Sequence, residues 1–137
     1  MQKIIWRGLK KAWTTFLELI KILIPVYIFV TFLKYTGVIK IISDLFRPLM
    51  SYIGLPGEAV LALLTSYLLN IYAGIAVISS LKLGVREITI LGAMIGIAHS
   101  LIIESAVFKK IKINLIYINL LRLSMSILAG ILLNLVL

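Results

Sequence analysis

Residues 59–81 contain no Asp, Glu, Lys or Arg. A helix rises about 1.5 Å per residue, so a run of that length can cross the roughly 30 Å hydrocarbon core of a bilayer. Ile88–Ile103 form a second uncharged run, and Ile22–Leu33 and the stretch after Arg122 give two more. Of the 137 residues, 62% are hydrophobic and only 14% charged. Soluble domains average about 45–50% apolar and about 25% charged residues, and a small one has too little interior to hide such a surplus. The sequence predicts an all-α polytopic membrane protein of a single domain, residues 1–137.

Fourteen basic residues against five acidic ones leave a net charge of +9. In a soluble chain that surplus would point to nucleic acid. Here the basic residues sit at the ends of apolar runs: Lys34, Lys82 with Arg86, and Lys109, Lys110 and Lys112. That placement suits lipid head groups and the setting of topology, so membrane lipid is expected as a partner and nucleic acid is not. The chain has no cysteine, which excludes disulfides, thiolate metal sites and a Cys nucleophile. No small-residue cleavage pattern follows Ile22–Leu33, so a cleaved leader is not expected there.

Along the chain, residues 1–12 mix Lys3, Arg7, Lys10 and Lys11 with Ile4, Ile5, Trp6 and Leu9, the pattern of a basic amphipathic helix at a bilayer surface. It is expected to run into a membrane helix over 13–34. In 37–53, Val38, Ile41, Ile42, Leu45, Phe46 and Leu49 recur at helical spacing opposite Lys40, Ser43, Asp44 and Arg47, which predicts an amphipathic helix in the membrane plane. Gly54-Leu55-Pro56-Gly57-Glu58-Ala59 then turns the chain into another helix, with Glu58 in its first turn, where an acid complements the helix dipole. The apolar stretch 57–82 is interrupted at Asn70-Ile71-Tyr72-Ala73-Gly74. Its residues alone allow either a full span or two half-helices meeting in a hairpin. After a basic turn, 87–110 holds the small-residue pattern of Gly92 and Gly96 and then His99, Ser100 and Glu104; a last membrane helix covers 113–136.

An ionisable group within the bilayer costs about 2.5–3.5 kcal/mol on insertion scales, so it usually faces a partner or a wet cavity. His99, Glu104 and Arg122 are the candidates. Asn119, Arg122 and Ser126 share one stripe of the last helix, and Ser100 and Glu104 share a face of the helix before it. These faces are expected to meet, with Glu104 paired to Arg122; the alternative is that both side chains reach to the interfaces. Asn70 and Tyr72 lie where unwound backbone would need protein or a cavity around it. With one His, five acids scattered over different elements and no Cys, the sequence holds no catalytic constellation and no metal-ligand spacing. Neither enzyme activity nor a bound cofactor or metal is expected.

The Gly54–Ala59 string, preceded by Phe46-Arg47-Pro48-Leu49, resembles the nucleoside-recognition, or Gate, family of membrane proteins. That family includes the spore maturation proteins A and B, with related regions in ferrous-iron and concentrative nucleoside transporters. The resemblance covers about residues 13–137 and implies one inverted-repeat unit: helix, interfacial helix, re-entrant hairpin, broken helix, terminal helix. It favours the hairpin, with its tip near Asn70–Gly74, and a break near His99-Ser100. By position, Thr65, Ser66, Asn70, Tyr72, His99, Ser100 and Glu104 would inherit the family's solute contacts, with Glu58, Asn119 and Arg122 in structural or coupling roles.

Transporters of this construction join two inverted units around a midplane site, and this chain supplies one. With a hairpin, Lys3, Arg7, Lys10, Lys11, Lys109, Lys110 and Lys112 fall on one side, against Lys34, Lys40, Arg47, Lys82 and Arg86 on the other. Seven against five is a weak orientation bias, and a four-span chain would have six against six. The expectation is an antiparallel homodimer of dual topology; the alternative is a heterodimer with a related Gate protein. The expected function is binding or transport of a small polar solute in the prokaryotic cytoplasmic membrane, coupled to Na+ or H+ if coupled at all. A non-transporting membrane scaffold or regulatory module is the alternative.

Overall fold

Gly37, in the left-handed region at φ 79°, separates the first two helices of the computed structural model, which describes residues 2–137. The first helix, α1 (Gln2–Tyr35), is continuous from the basic start into the apolar segment and runs through Pro25. At 34 residues it measures roughly 51 Å, longer than a bilayer core. Only its second half packs on the protein, where Val30 is buried and Val26 and Leu33 lean on the core. Its first half is exposed on every side.

The second helix, α2 (Val38–Tyr52), runs through Pro48 and has three faces rather than the two expected. Ile39, Ile42, Phe46 and Met50 turn toward the protein, with Ile39 and Met50 buried. Ile41, Leu45 and Leu49 are apolar and exposed, while Lys40, Asp44 and Arg47 form the polar face, on which Asp44 and Arg47 pair at 3.3 Å. The expected apolar stripe is therefore split: Ile42 and Phe46 serve the core, and Ile41, Leu45 and Leu49 are left for lipid. Hydropathy marks both sets alike, because it does not distinguish protein from hydrocarbon.

The turn after α2 shows why Gly54 and Gly57 are glycines. Gly54 adopts φ 74°, and a Cβ there would overlap the Asn134 side chain. A Cβ on Gly57 would overlap the backbone carbonyl of Ser43. Gly57–Ala59 form a 3₁₀ turn that leads into α3 (Val60–Leu68), and the chain bends by 94° between α2 and this segment. Leu55 and Ala59 are buried beside it.

Leu69 and Asn70 break the helix before α4 (Ile71–Ser80), whose start is capped by the Asn70 side chain accepting the Ala73 N–H at 3.0 Å. A Cβ on Gly74 would overlap Ser66 Oγ. In one continuous helix these residues, eight apart, would be separated by about 12 Å. The chain therefore folds back on itself, and α3 and α4 form a helical hairpin that packs against α1 and α5.

After a short loop come α5 (Val85–Ala98) and α6 (Leu101–Lys110), separated at His99-Ser100, where Ser100 takes a left-handed conformation at φ 52°. The last helix, α7 (Leu115–Val136), starts at Asn114, whose side chain accepts the N–H groups of Ile116 and Tyr117. It lies along α5, with Gly130 in close contact with Ile53 and Met94. Ile90, Leu91, Met94 and Val77 are the largest fully buried apolar side chains. Among the described residues, three helical segments are long and apolar enough to cross a membrane: Lys3–Tyr35, Val85–Lys110 and Leu115–Val136. Much of their apolar surface is exposed in the single chain, as lipid-facing helices require. The fold is an all-α polytopic membrane fold.

Candidate functional site

The helix break at His99-Ser100 gathers most of the polar groups buried in the apolar part of the protein. Where α5 ends, its last carbonyls lose their intrahelical N–H partners. The side chain of Arg122, from α7, supplies replacements: Nε donates to the Ile97 carbonyl at 3.0 Å and Nη2 to the His99 carbonyl at 3.3 Å. Its Nη1 donates to Glu104 Oε2 on α6. One guanidinium thus joins both halves of the broken helix to α7, and its side chain is only 14% exposed.

His99 completes the cluster. Its Nδ1 lies 3.2 Å from the Ile95 carbonyl, and its Nε2 is 3.5 Å from Glu104 Oε1. A carbonyl can only accept, so Nδ1 carries the hydrogen on that side. Nε2 then faces the Glu104 carboxylate.

The hairpin reaches the break through the backbone. Ser100 donates its N–H to the Ser66 carbonyl at 2.8 Å. Ser66 is fully buried, and its hydroxyl has no hydrogen-bond partner among the described residues. On α7, Asn119 donates Nδ2 to Ser105 Oγ at 2.8 Å, while its Oδ1 is buried without a partner among them. Ser126, also fully buried, donates to the Met94 carbonyl at 2.8 Å, which leaves the Tyr67 hydroxyl as donor to Ser126 Oγ at 2.6 Å. The α7 stripe of Asn119, Arg122 and Ser126 therefore faces α5 and α6 along its length.

The other candidate residues lie differently. Thr65 spends its hydroxyl on the Leu61 carbonyl of its own helix at 2.7 Å. Asn70 is at the hairpin tip, its side-chain oxygen engaged in capping α4. Tyr72 is 41% exposed on α4, and among the described residues no hydrogen bond joins it to the cluster. Glu58 stands in the 3₁₀ turn at the far end of α3, eight residues before Ser66. The compact set is thus Ser66, His99, Ser100, Glu104 and Arg122, with Asn119 a turn away on α7.

Three contributors escaped the sequence. Ser105 and Tyr67 are single polar residues on apolar helices, and nothing local reveals which neighbour they meet. Arg86, read as a head-group contact, also clamps two helix ends: it donates Nη2 to the Asn134 carbonyl at 3.0 Å and Nη1 to the Gly54 carbonyl at 3.4 Å. Asn134 in turn donates to the Tyr52 carbonyl at 3.2 Å. The signal for this clamp was Asn134, an amide near the C-terminal end of α7.

A family model described as Gate, nucleoside recognition, matches residues 16–135. An uncharacterized membrane protein of Bacillus subtilis (strain 168), YvoD, is 39% identical over 136 residues. The match covers 99% of this chain but 44% of that protein, so the chain spans less than half the length of this relative. No solved structure matches.

Proposed function

The chain belongs to the Gate family of nucleoside-recognition membrane proteins, and from that membership we propose that it is one half of a transporter-like core. Two copies in inverted orientation complete the core and bind a small polar solute at the membrane midplane. The observation that carries this reading is the bond from Ser100 to Ser66, which places a helical hairpin against a broken membrane helix beside a buried polar cluster. Helices interrupted at mid-membrane, with polar backbone facing inward, are the structural basis of solute sites in transporters built from inverted repeats.

In this reading the solute contacts come from Ser66, His99, Ser100 and Glu104 on the inner side of the unit, with Asn70 and Tyr72 at the hairpin tip meeting the second copy. Thr65 holds its helix, and Glu58, Asn119 and Arg122 hold the unit together. The protein resides in the prokaryotic cytoplasmic membrane in both orientations. A coupling ion, Na+ or H+, would act within the completed two-copy core. No covalent chemistry is involved.

Topology is the decisive test. The absence of native cysteine allows a single Cys beside Lys3, or beside Lys110, to be labelled with a membrane-impermeant reagent from each side in turn. Comparable labelling of each position from both sides is the result expected. Labelling of each from one side only would end the inverted homodimer and move the missing half to another protein. Solute binding is then read as a rise in the thermal midpoint of the purified protein over a panel of uncharged polar solutes. The rise should be lost in Ser66→Ala.

A further inference from the structure

We propose that Arg122 is the resident cation of the break between α5 and α6, filling the place where unwound carbonyls and a carboxylate would otherwise hold a monovalent metal ion. The site consequently does not take up Na+. This sharpens the coupling-ion part of the function proposed above, but it rests on the geometry of the break and not on solute transport.

Three oxygens of different origin converge there: the carbonyls of Ile97 and His99 and the Oε2 of Glu104. The first two belong to the C-terminal end of α5, where the helix dipole leaves a partial negative charge. Glu104 adds a full one. Unwound carbonyls and a nearby carboxylate are hard oxygen donors, the set that coordinates Na+ at broken membrane helices. In this protein each of the three already accepts an N–H from the same guanidinium. An Arg side chain stays protonated across the accessible pH range and presents its donors in a planar fork. It therefore satisfies the donor set with a charge that cannot dissociate.

The tether is short and well held. Four residues beyond Arg122, Ser126 fixes α7 to the Met94 carbonyl of α5. Three residues before it, Asn119 is bonded to Ser105 of α6. Arg122 thus stands between two crossings that bind its helix to both halves of the broken one. A Na+ entering the cluster would have to take its oxygens from that guanidinium and sit beside a fixed like charge, in a place largely shielded from water.

The test uses the full chain, purified in detergent, and reads thermal midpoints. Replacing choline by Na+ up to about 200 mM at constant ionic strength, which holds general screening fixed, should leave the wild-type midpoint unchanged. A saturable rise with Na+ would overturn the proposal. Arg122→Ala removes the cation and should lower the midpoint by on the order of 10 °C. Guanidinium chloride at about 10 mM, far below denaturing concentrations, should restore part of that loss, whereas equimolar tetramethylammonium chloride should not. Equal effects of the two salts would overturn the proposal. If Arg122→Ala does not fold, the Na+ titration of the wild type still decides. Absence of solute binding would defeat the transporter reading and leave these results unaffected.

Discussion

Ser100 and Ser66, 34 positions apart along the chain, are joined backbone to backbone at 2.8 Å, at the point where a broken helix meets a folded-back one. The Ser100 N–H is free to make this bond because His99 is extended, at ψ 159°, which turns the next peptide out of the α5 pattern, and Ser100 itself is left-handed, at φ 52°. A left-handed conformation is unfavourable for a non-glycine residue, costing about 1–2 kcal/mol. Ser100→Gly should relieve that cost and preserve the bond. Expected is a gain in stability of up to about 1 kcal/mol, while Ser100→Val should lose at least as much; thermal midpoints of the two variants check the sign.

Ser66 offers a separation of stability from function. Its hydroxyl is buried and has no hydrogen-bond partner among the described residues, a condition that costs free energy. Ser66→Ala should therefore be neutral or slightly stabilising, while removing a polar atom beside the break. Loss of solute binding with an undiminished thermal midpoint is the expected pair of results. A marked fall in the midpoint would instead make the hydroxyl structural.

Glu104 and Arg122 can be compared through a double-mutant cycle. Each is largely shielded, with side chains 32% and 14% exposed. Removing either one strands the other, so Glu104→Gln and Arg122→Gln should each cost about 2–3 kcal/mol, reduced from the fully buried case by the partial exposure of Glu104. The double variant should cost less than the sum by about 1–2 kcal/mol. Additive losses would show that the two side chains act independently.

Two classes of glycine should respond in opposite ways to alanine. Gly57 and Gly74 are closed in by the Ser43 backbone and the Ser66 side chain, whereas nothing lies within 4 Å of a Cβ built on Gly92. Gly57→Ala should cost several kcal/mol, since backbone must move. In the isolated chain Gly92→Ala should gain about 0.5–1 kcal/mol from helix propensity. Denaturation of the two variants side by side in detergent gives the contrast.

The first half of α1 carries Lys3, Arg7, Lys10 and Lys11 along one side and exposes Trp6, Leu9, Trp13 and Phe16. Both tryptophans of the chain are on this arm, so intrinsic Trp emission reports on it alone. Reconstitution into vesicles containing anionic lipid should shift that emission to the blue and protect it from iodide more than neutral vesicles do. Changing the four basic residues to Gln should abolish the difference, at about 1 kcal/mol per residue.

Much of this architecture is legible in the residues, because a bilayer simplifies the code. Uncharged runs and basic ends mark the membrane helices, and Gly54–Ala59 announces a turn whose two glycines prove to be sterically required. The polar stripe of Asn119, Arg122 and Ser126 is readable for the same reason: on an apolar helix, polar residues at helical spacing must face protein. Hairpin or span could not be decided locally, since the deciding contact joins Ser66 to Gly74 across the break. The partition of α2 into lipid-facing and protein-facing apolar sides was hidden because Ile41 and Ile42 have the same hydropathy. Nor does Arg86 look different in sequence from the basic residues around it; its role depends on Asn134, far along the chain.

The corner between α2 and α3 has a mechanical side. With Gly57 seated on the Ser43 carbonyl, the two segments meet at 94° as a rigid bracket. One arm of the bracket lays Ile41, Leu45 and Leu49 outward, and the other carries the hairpin. Tilting the hairpin would pull those three side chains out of lipid, at about 1.5–3 kcal/mol apiece if fully exposed. The hairpin is thus braced at its base like a post on a floor plate, so that α2 has to move with it.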